Sequence, residues 1–77
     1  MTKRAYLLVA FNPDADLTAV RHAMNQPCVD KLDLLLGPYD AVVSVSTADF
    51  AELTELARRV RGCPGIRTST TCPVIEG

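Results

Sequence analysis

The sequence predicts an α+β fold of element order βαββαβ: a four-stranded antiparallel sheet with two helices on one face. Three observations predict it. Strand-length apolar runs alternate with two segments whose apolar residues recur at helical spacing. A Gly37-Pro38-Tyr39-Asp40 turn joins the middle two strands so closely that they must form an antiparallel hairpin. The chain has 77 residues, 48% of them hydrophobic and 22% charged, which is one globular domain, residues 1–77, with room for a single core.

The elements follow in order. Residues 5–11 are apolar at every position and form β1, a strand covered on both faces. Asn12-Pro13-Asp14-Ala15-Asp16 supplies turn residues and a capping aspartate. Helix α1 spans residues 17–25, with Leu17, Val20, Ala23 and Met24 on one face, and Gln26-Pro27 ends it. Residues 30–36 read as β2, where Leu32, Leu34 and Leu36 alternate with Lys31 and Asp33. Residues 41–46 form β3, with Ala41, Val43 and Val45 facing one way and Val42, Ser44 and Ser46 the other. Thr47 or a neighbour caps α2, residues 48–61. Its acids lie early and its arginines late, as the helix dipole favours, and Phe50, Leu53, Leu56, Ala57 and Val60 make its buried stripe. Gly62 is placed to end α2 in a left-handed cap. Residues 66–75 form β4, where Pro73 argues for an edge. Right-handed crossovers place β1 and β3 in the centre and β2 and β4 outside, the ferredoxin-like arrangement.

Charge and composition exclude several classes. Eight basic and nine acidic residues give a net charge of -1, so no global field draws nucleic acid or an anionic membrane. The apolar run of residues 5–11 is far short of the ~20 residues that span a bilayer, and Asn12-Pro13-Asp14 stops it too early for a signal peptide. Cytoplasmic location is the expectation. Cys28, Cys63 and Cys72 are odd in number, without CxxC spacing, and read as reduced thiols rather than a disulfide scaffold or zinc site. No cofactor or metal is expected.

Both alternate sets of β1, Tyr6/Leu8/Ala10 and Leu7/Val9/Phe11, are apolar, yet only one can meet the helices. The other needs a cover, and a second copy packed sheet against sheet is the simplest. Two local features carry candidate chemistry. In Leu36-Gly37-Pro38-Tyr39-Asp40 the glycine admits a ligand to backbone N–H groups, the tyrosine offers a ring and hydroxyl, and the aspartate offers an anion. The alternative is an ordinary hairpin turn with Asp40 bonded to its own backbone. Thr68-Ser69-Thr70-Thr71 places four hydroxyls on an edge strand, for a polar ligand or simply as good strand formers.

Taken together, the Leu-Gly-Pro-Tyr-Asp turn at 36–40, the valine-rich strand after it, Cys63-Pro64-Gly65-Ile66 and the Arg-Thr-Ser-Thr strand at 67–70 resemble the effector-binding (RAM) domain of Lrp/AsnC transcriptional regulators. The resemblance runs over residues 5–76. It implies a homodimer closed through the sheets, assembled further into rings of dimers, with an amino-acid effector held between dimers near the Gly-x-Tyr-Asp turn. Gly37, Tyr39 and Asp40 match the turn motif, and Thr68 and Thr70 the hydroxyl positions of the last strand. Donors at Gly37 and the threonines suit an α-carboxylate, and Asp40 suits an α-ammonium. Complete regulators of this family carry an N-terminal helix-turn-helix domain. Only residues 1–4 precede β1 here, so the chain reads as a stand-alone effector module with no direct grip on DNA. Cys28 stands where the family usually has glycine, which bears on the backbone of that turn and not on the fold.

The expectation is thus a non-enzymatic effector-sensing and oligomerisation module that acts in transcription regulation, with a full-length Lrp/AsnC-type regulator as a further partner. Two readings stand against it: a small enzyme of the dimeric α/β-barrel type, and a ligand-free oligomerisation scaffold. His22 falls off the α1 stripe and reads as solvated. Arg58, Arg59, Arg61 and Arg67 cluster without the interleaved aromatics that base stacking requires.

Overall fold

Residue parity along β1 organises the molecule. The computed structural model describes residues 2–75. In it β1 (Lys3–Phe11) lies between β3 (Ala41–Thr47) and β4 (Ile66–Pro73), and β2 (Val29–Leu34) lies outside β3. All neighbours are antiparallel, in the order β2-β3-β1-β4, with α1 (Leu17–Ala23) and α2 (Phe50–Arg61) as crossovers. The ferredoxin-like expectation holds, with Pro73 on an edge strand.

Ala5, Leu7 and Val9 are buried, opposite Val45, Val43 and Ala41. Val20 and Met24 from α1, and Leu53, Leu56, Ala57 and Val60 from α2, close the core over them. Leu7 and Leu56 have no exposed surface, so burial of each contributes about 1.5–3 kcal/mol. Side chains of Asp16 and Asp49 open the two helices. Asp16 Oδ1 accepts from Thr18 N at 2.9 Å, and Asp49 Oδ1 from Glu52 N at 2.9 Å. Each cap stabilises its helix by about 1 kcal/mol.

Element ends depart from the sequence reading where local chemistry intervenes. Helix α1 stops at Ala23 because Met24 is its cap and Gln26-Pro27 turns the chain. The α2 cap falls to Asp49, and Thr47, buried, donates its hydroxyl to Asp49 O at 3.0 Å. As the first residue of α2, Phe50 is 56% exposed rather than part of the buried stripe, with Lys3 Nζ 4.9 Å from its ring centroid. Leu17, likewise first in its helix, is also exposed. Gly62 is right-handed, with φ −84°, so it is no left-handed cap. After α2 the left-handed residue is Gly65, φ +88°, where an added Cβ would sit 3.1 Å from Ala15 Cβ. Glycine is required there by both backbone and space. Among the described residues no non-glycine residue has positive φ, so Cys28 occupies its turn without left-handed backbone.

Strand β2 ends at Leu34, and Leu36 is fully exposed instead of continuing the alternation. Leu35 N already donates to Asp40 O at 2.8 Å, closing the loop before Leu36 can reach β3. At the other terminus β4 ends at Pro73, and Ile75 projects into solvent.

Candidate functional site

Directly opposed residues of antiparallel strands share a face, so the register places every candidate. Leu8 lies between Val42 and Thr70, Tyr6 between Ser44 and Cys72, and Ala10 beside Thr68. These residues form the sheet face away from the helices. Thr68 and Thr70 are exposed on it, about 7 Å apart along β4. Tyr6 remains 39% exposed, and Leu8 and Val42 are half-buried. The apolar set of β1 left over by the core therefore forms an open surface flanked by hydroxyls.

Asp40 stands at one end of this face, where β3 begins. The odd-numbered residues of β1 direct their main-chain groups toward β3, which starts only at Ala41. Asp40 supplies the missing rung. Its N–H donates to Val9 O at 2.8 Å, and its Oδ2 accepts from Phe11 N at 2.7 Å. A register shift between Ala10 and Phe11 marks the same point on the β4 side. The carboxylate is thus bonded to backbone 29 residues away rather than to its own turn. A charged acceptor on a backbone N–H contributes about 1.5–3 kcal/mol. Oδ1 takes no part in that bond.

Gly37 adopts φ +144°, with no atom within 4 Å of an added Cβ. Its backbone, not its surroundings, calls for glycine. Tyr39 is half-buried in the same loop. The structure brings Asp40 and Thr68 to the two sides of the β1 end, with Thr70 one alternate position further along the face. Gly37 and Tyr39 belong to the loop that holds Asp40. Val9 and Phe11, the anchors of Asp40, were not among the candidates. Only the break in ladder pairing at the strand end reveals them.

Among the described residues two clefts lie elsewhere. One of about 490 Å³ between α1 and β2 is lined by Arg21, His22, Asn25 and Lys31 among others. The second, of about 370 Å³, runs between α2 and β4 and includes Phe50, Leu53, Ala57 and Arg61. Neither is lined by the five candidate residues. Two thiols are held protonated. Glu52, whose Oε1 accepts from Cys28 Sγ at 3.4 Å, raises the Cys28 pKa, and burial raises that of Cys63.

The βαββαβ sandwich is of the ferredoxin-like class, and the anchored Asp40 carboxylate lies beside its open, hydroxyl-flanked sheet face. Residues 4–77 match the Lrp/AsnC ligand binding domain model, and the chain belongs to that family. No curated protein matches it. Among solved structures, FFRP-DM1 is 22% identical with a TM-score of 0.85, covering 95% of this chain and 99% of its own. Hypothetical protein PHS023 from Pyrococcus horikoshii is 22% identical with a TM-score of 0.82, covering 100% of this chain and 93% of its own. The transcriptional regulator NMB0573 from Neisseria meningitidis, solved as its L-Met complex, has a TM-score of 0.87 at 14% identity. That match covers 96% of this chain and 50% of the regulator. These likenesses establish the fold. No helix among the described residues is long and apolar enough to cross a membrane.

Proposed function

We propose that residues 1–77 act as one non-enzymatic effector-sensing domain that binds an amino acid or a closely similar metabolite at a site shared between copies. The observation that carries this reading is the placement of Asp40, Thr68 and Thr70 around an open sheet face in a chain of this family. The ligand's α-ammonium pairs with Asp40, and its α-carboxylate takes donors from Thr68, Thr70 and the Gly37 backbone, with Tyr39 against its side chain. Leu8, Val42 and Tyr6 are covered by a second copy, sheet against sheet, and dimers associate further. A ligand that touches more than one copy binds the assembled state better and shifts the population toward it. In a mixed assembly with a complete Lrp/AsnC regulator, that shift reaches DNA through the partner. The L-Met complex of the structurally similar Neisseria regulator supports the choice of an amino acid.

A thermal-shift screen of the twenty amino acids tests this. One or a few raise the melting temperature of the wild type, because a ligand at a hundredfold its Kd stabilises by about 2.7 kcal/mol. A Thr68→Val/Thr70→Val double variant, which keeps the exposed strand surface but removes both hydroxyls, loses the response. No response to any amino acid at millimolar concentration contradicts the reading.

A further inference from the structure

The edge of β4 and the flank of α2 form a second surface, on the side of the sheet away from the candidate effector site. Val74 N donates to Arg4 O at 2.9 Å, which makes residues 4 and 74 a hydrogen-bonded pair. Along the register, Cys72, Thr70 and Thr68 therefore direct their main-chain groups to β1. Ser69, Thr71 and Pro73 direct theirs outward, and among the described residues β4 has no outer neighbour in the sheet. The edge thus offers the N–H and C=O of Ser69 and Thr71, while Pro73 lacks a donor and ends the template. The side chains of these three residues face the helix side, because they oppose the core residues Val9, Leu7 and Ala5. There Thr71 and Pro73 join Phe50, Leu53, Ala57 and Arg61 in lining the cleft of about 370 Å³.

A strand added to this edge would drop alternate side chains into that cleft, main chain on β4 and anchors against α2. Charge selects the occupant. Arg58 and Arg61 line the cleft, and Lys3 reaches over Phe50 near the Pro73 end. Among the described residues no aspartate or glutamate lines it. Glu55 pairs with Arg58 at 2.6 Å, and Arg61 has no ion pair among the described residues. A five-residue strand spans about 17 Å, close to the roughly 18 Å length of the 12-residue α2. We propose that the β4–α2 groove docks an extended acidic segment of a partner polypeptide by strand addition, with one apolar residue opposite Thr71 between two acidic residues on the groove side. This surface is independent of the effector reading.

The probe is a synthetic peptide of sequence Glu-Thr-Val-Thr-Glu, acetylated and amidated, titrated into the ¹⁵N-labelled protein. The expected result is saturable movement of the Ser69 and Thr71 amides together with those of Phe50 and Ala57. Arg61→Glu weakens binding at least tenfold. Thr71→Pro, which removes an outward donor but no rung to β1, abolishes movement of Ser69 while circular dichroism stays that of the wild type. Should Thr71→Pro unfold, the exposed Arg61→Glu variant and a lysine-for-glutamate peptide carry the test. Stationary amides up to millimolar peptide, or equal binding of the lysine peptide, overturn the proposal. Movement of the same amides with protein concentration alone assigns the edge to a second copy and also overturns it.

Discussion

The two faces of β1 are built from the same kinds of residue and have opposite fates. Ala5, Leu7 and Val9 are sealed beneath both helices, whereas Tyr6 and Leu8, one position away, keep contact with solvent. A one-residue change of register would exchange them entirely. Hydrocarbon on the covered face holds the fold together. Hydrocarbon on the open face is only partly covered in a single protomer and gains more burial if something else lies against it.

The largest effect tests that contrast directly. Leu7→Ala leaves a cavity in a fully buried site and costs about 2–5 kcal/mol in urea unfolding. Leu8→Ala costs under about 1 kcal/mol per protomer when measured at high dilution, yet weakens self-association. Equal losses for the two would break the comparison.

Asp40 sits at the border of both faces and sharpens it. Asp40→Ala orphans Phe11 N–H and removes a charged acceptor, so unfolding free energy drops by about 1.5–3 kcal/mol. Asp40→Asn keeps an acceptor oxygen and loses less stability; under the proposed function it also removes the ammonium partner, so the amino-acid response falls without matching instability. A smaller effect belongs to the Asp49 cap: Asp49→Ala costs about 1 kcal/mol, which calorimetry reads as a fall of about 4–8 °C.

The smallest effect is a pH dependence. Cys28 and Cys63 both have pKa values raised in the fold, by the Glu52 hydrogen bond and by burial respectively. Their contribution is complete below the unfolded thiol value and is lost as pH rises through the folded one. Stability in urea therefore declines from about pH 8.5 upward, and a Cys28→Ser/Cys63→Ser variant flattens that decline.

Strand order was legible because it follows from apolar parity, one short hairpin and crossover handedness, and Pro73 agreed with the edge independently. Element ends were not. Leu36 and Phe50 are as apolar as their buried neighbours, and only the Leu35–Asp40 backbone bond and the Asp49 cap decide that they face water. Of the candidate site, the residue types could be read, but not the bond from Asp40 to Phe11, which depends on where two strands stop rather than on any local pattern. The left-handed position was read three residues early, at Gly62. What requires Gly65 is the approach of Ala15 and Val20, contacts no local spacing announces.

Sedimentation velocity on the wild type and on Leu8→Glu, at micromolar concentration, tests most directly whether the open face is an interface. The account predicts a dimer or larger particle for the wild type and a folded monomer for the variant. A folded wild-type monomer would contradict it.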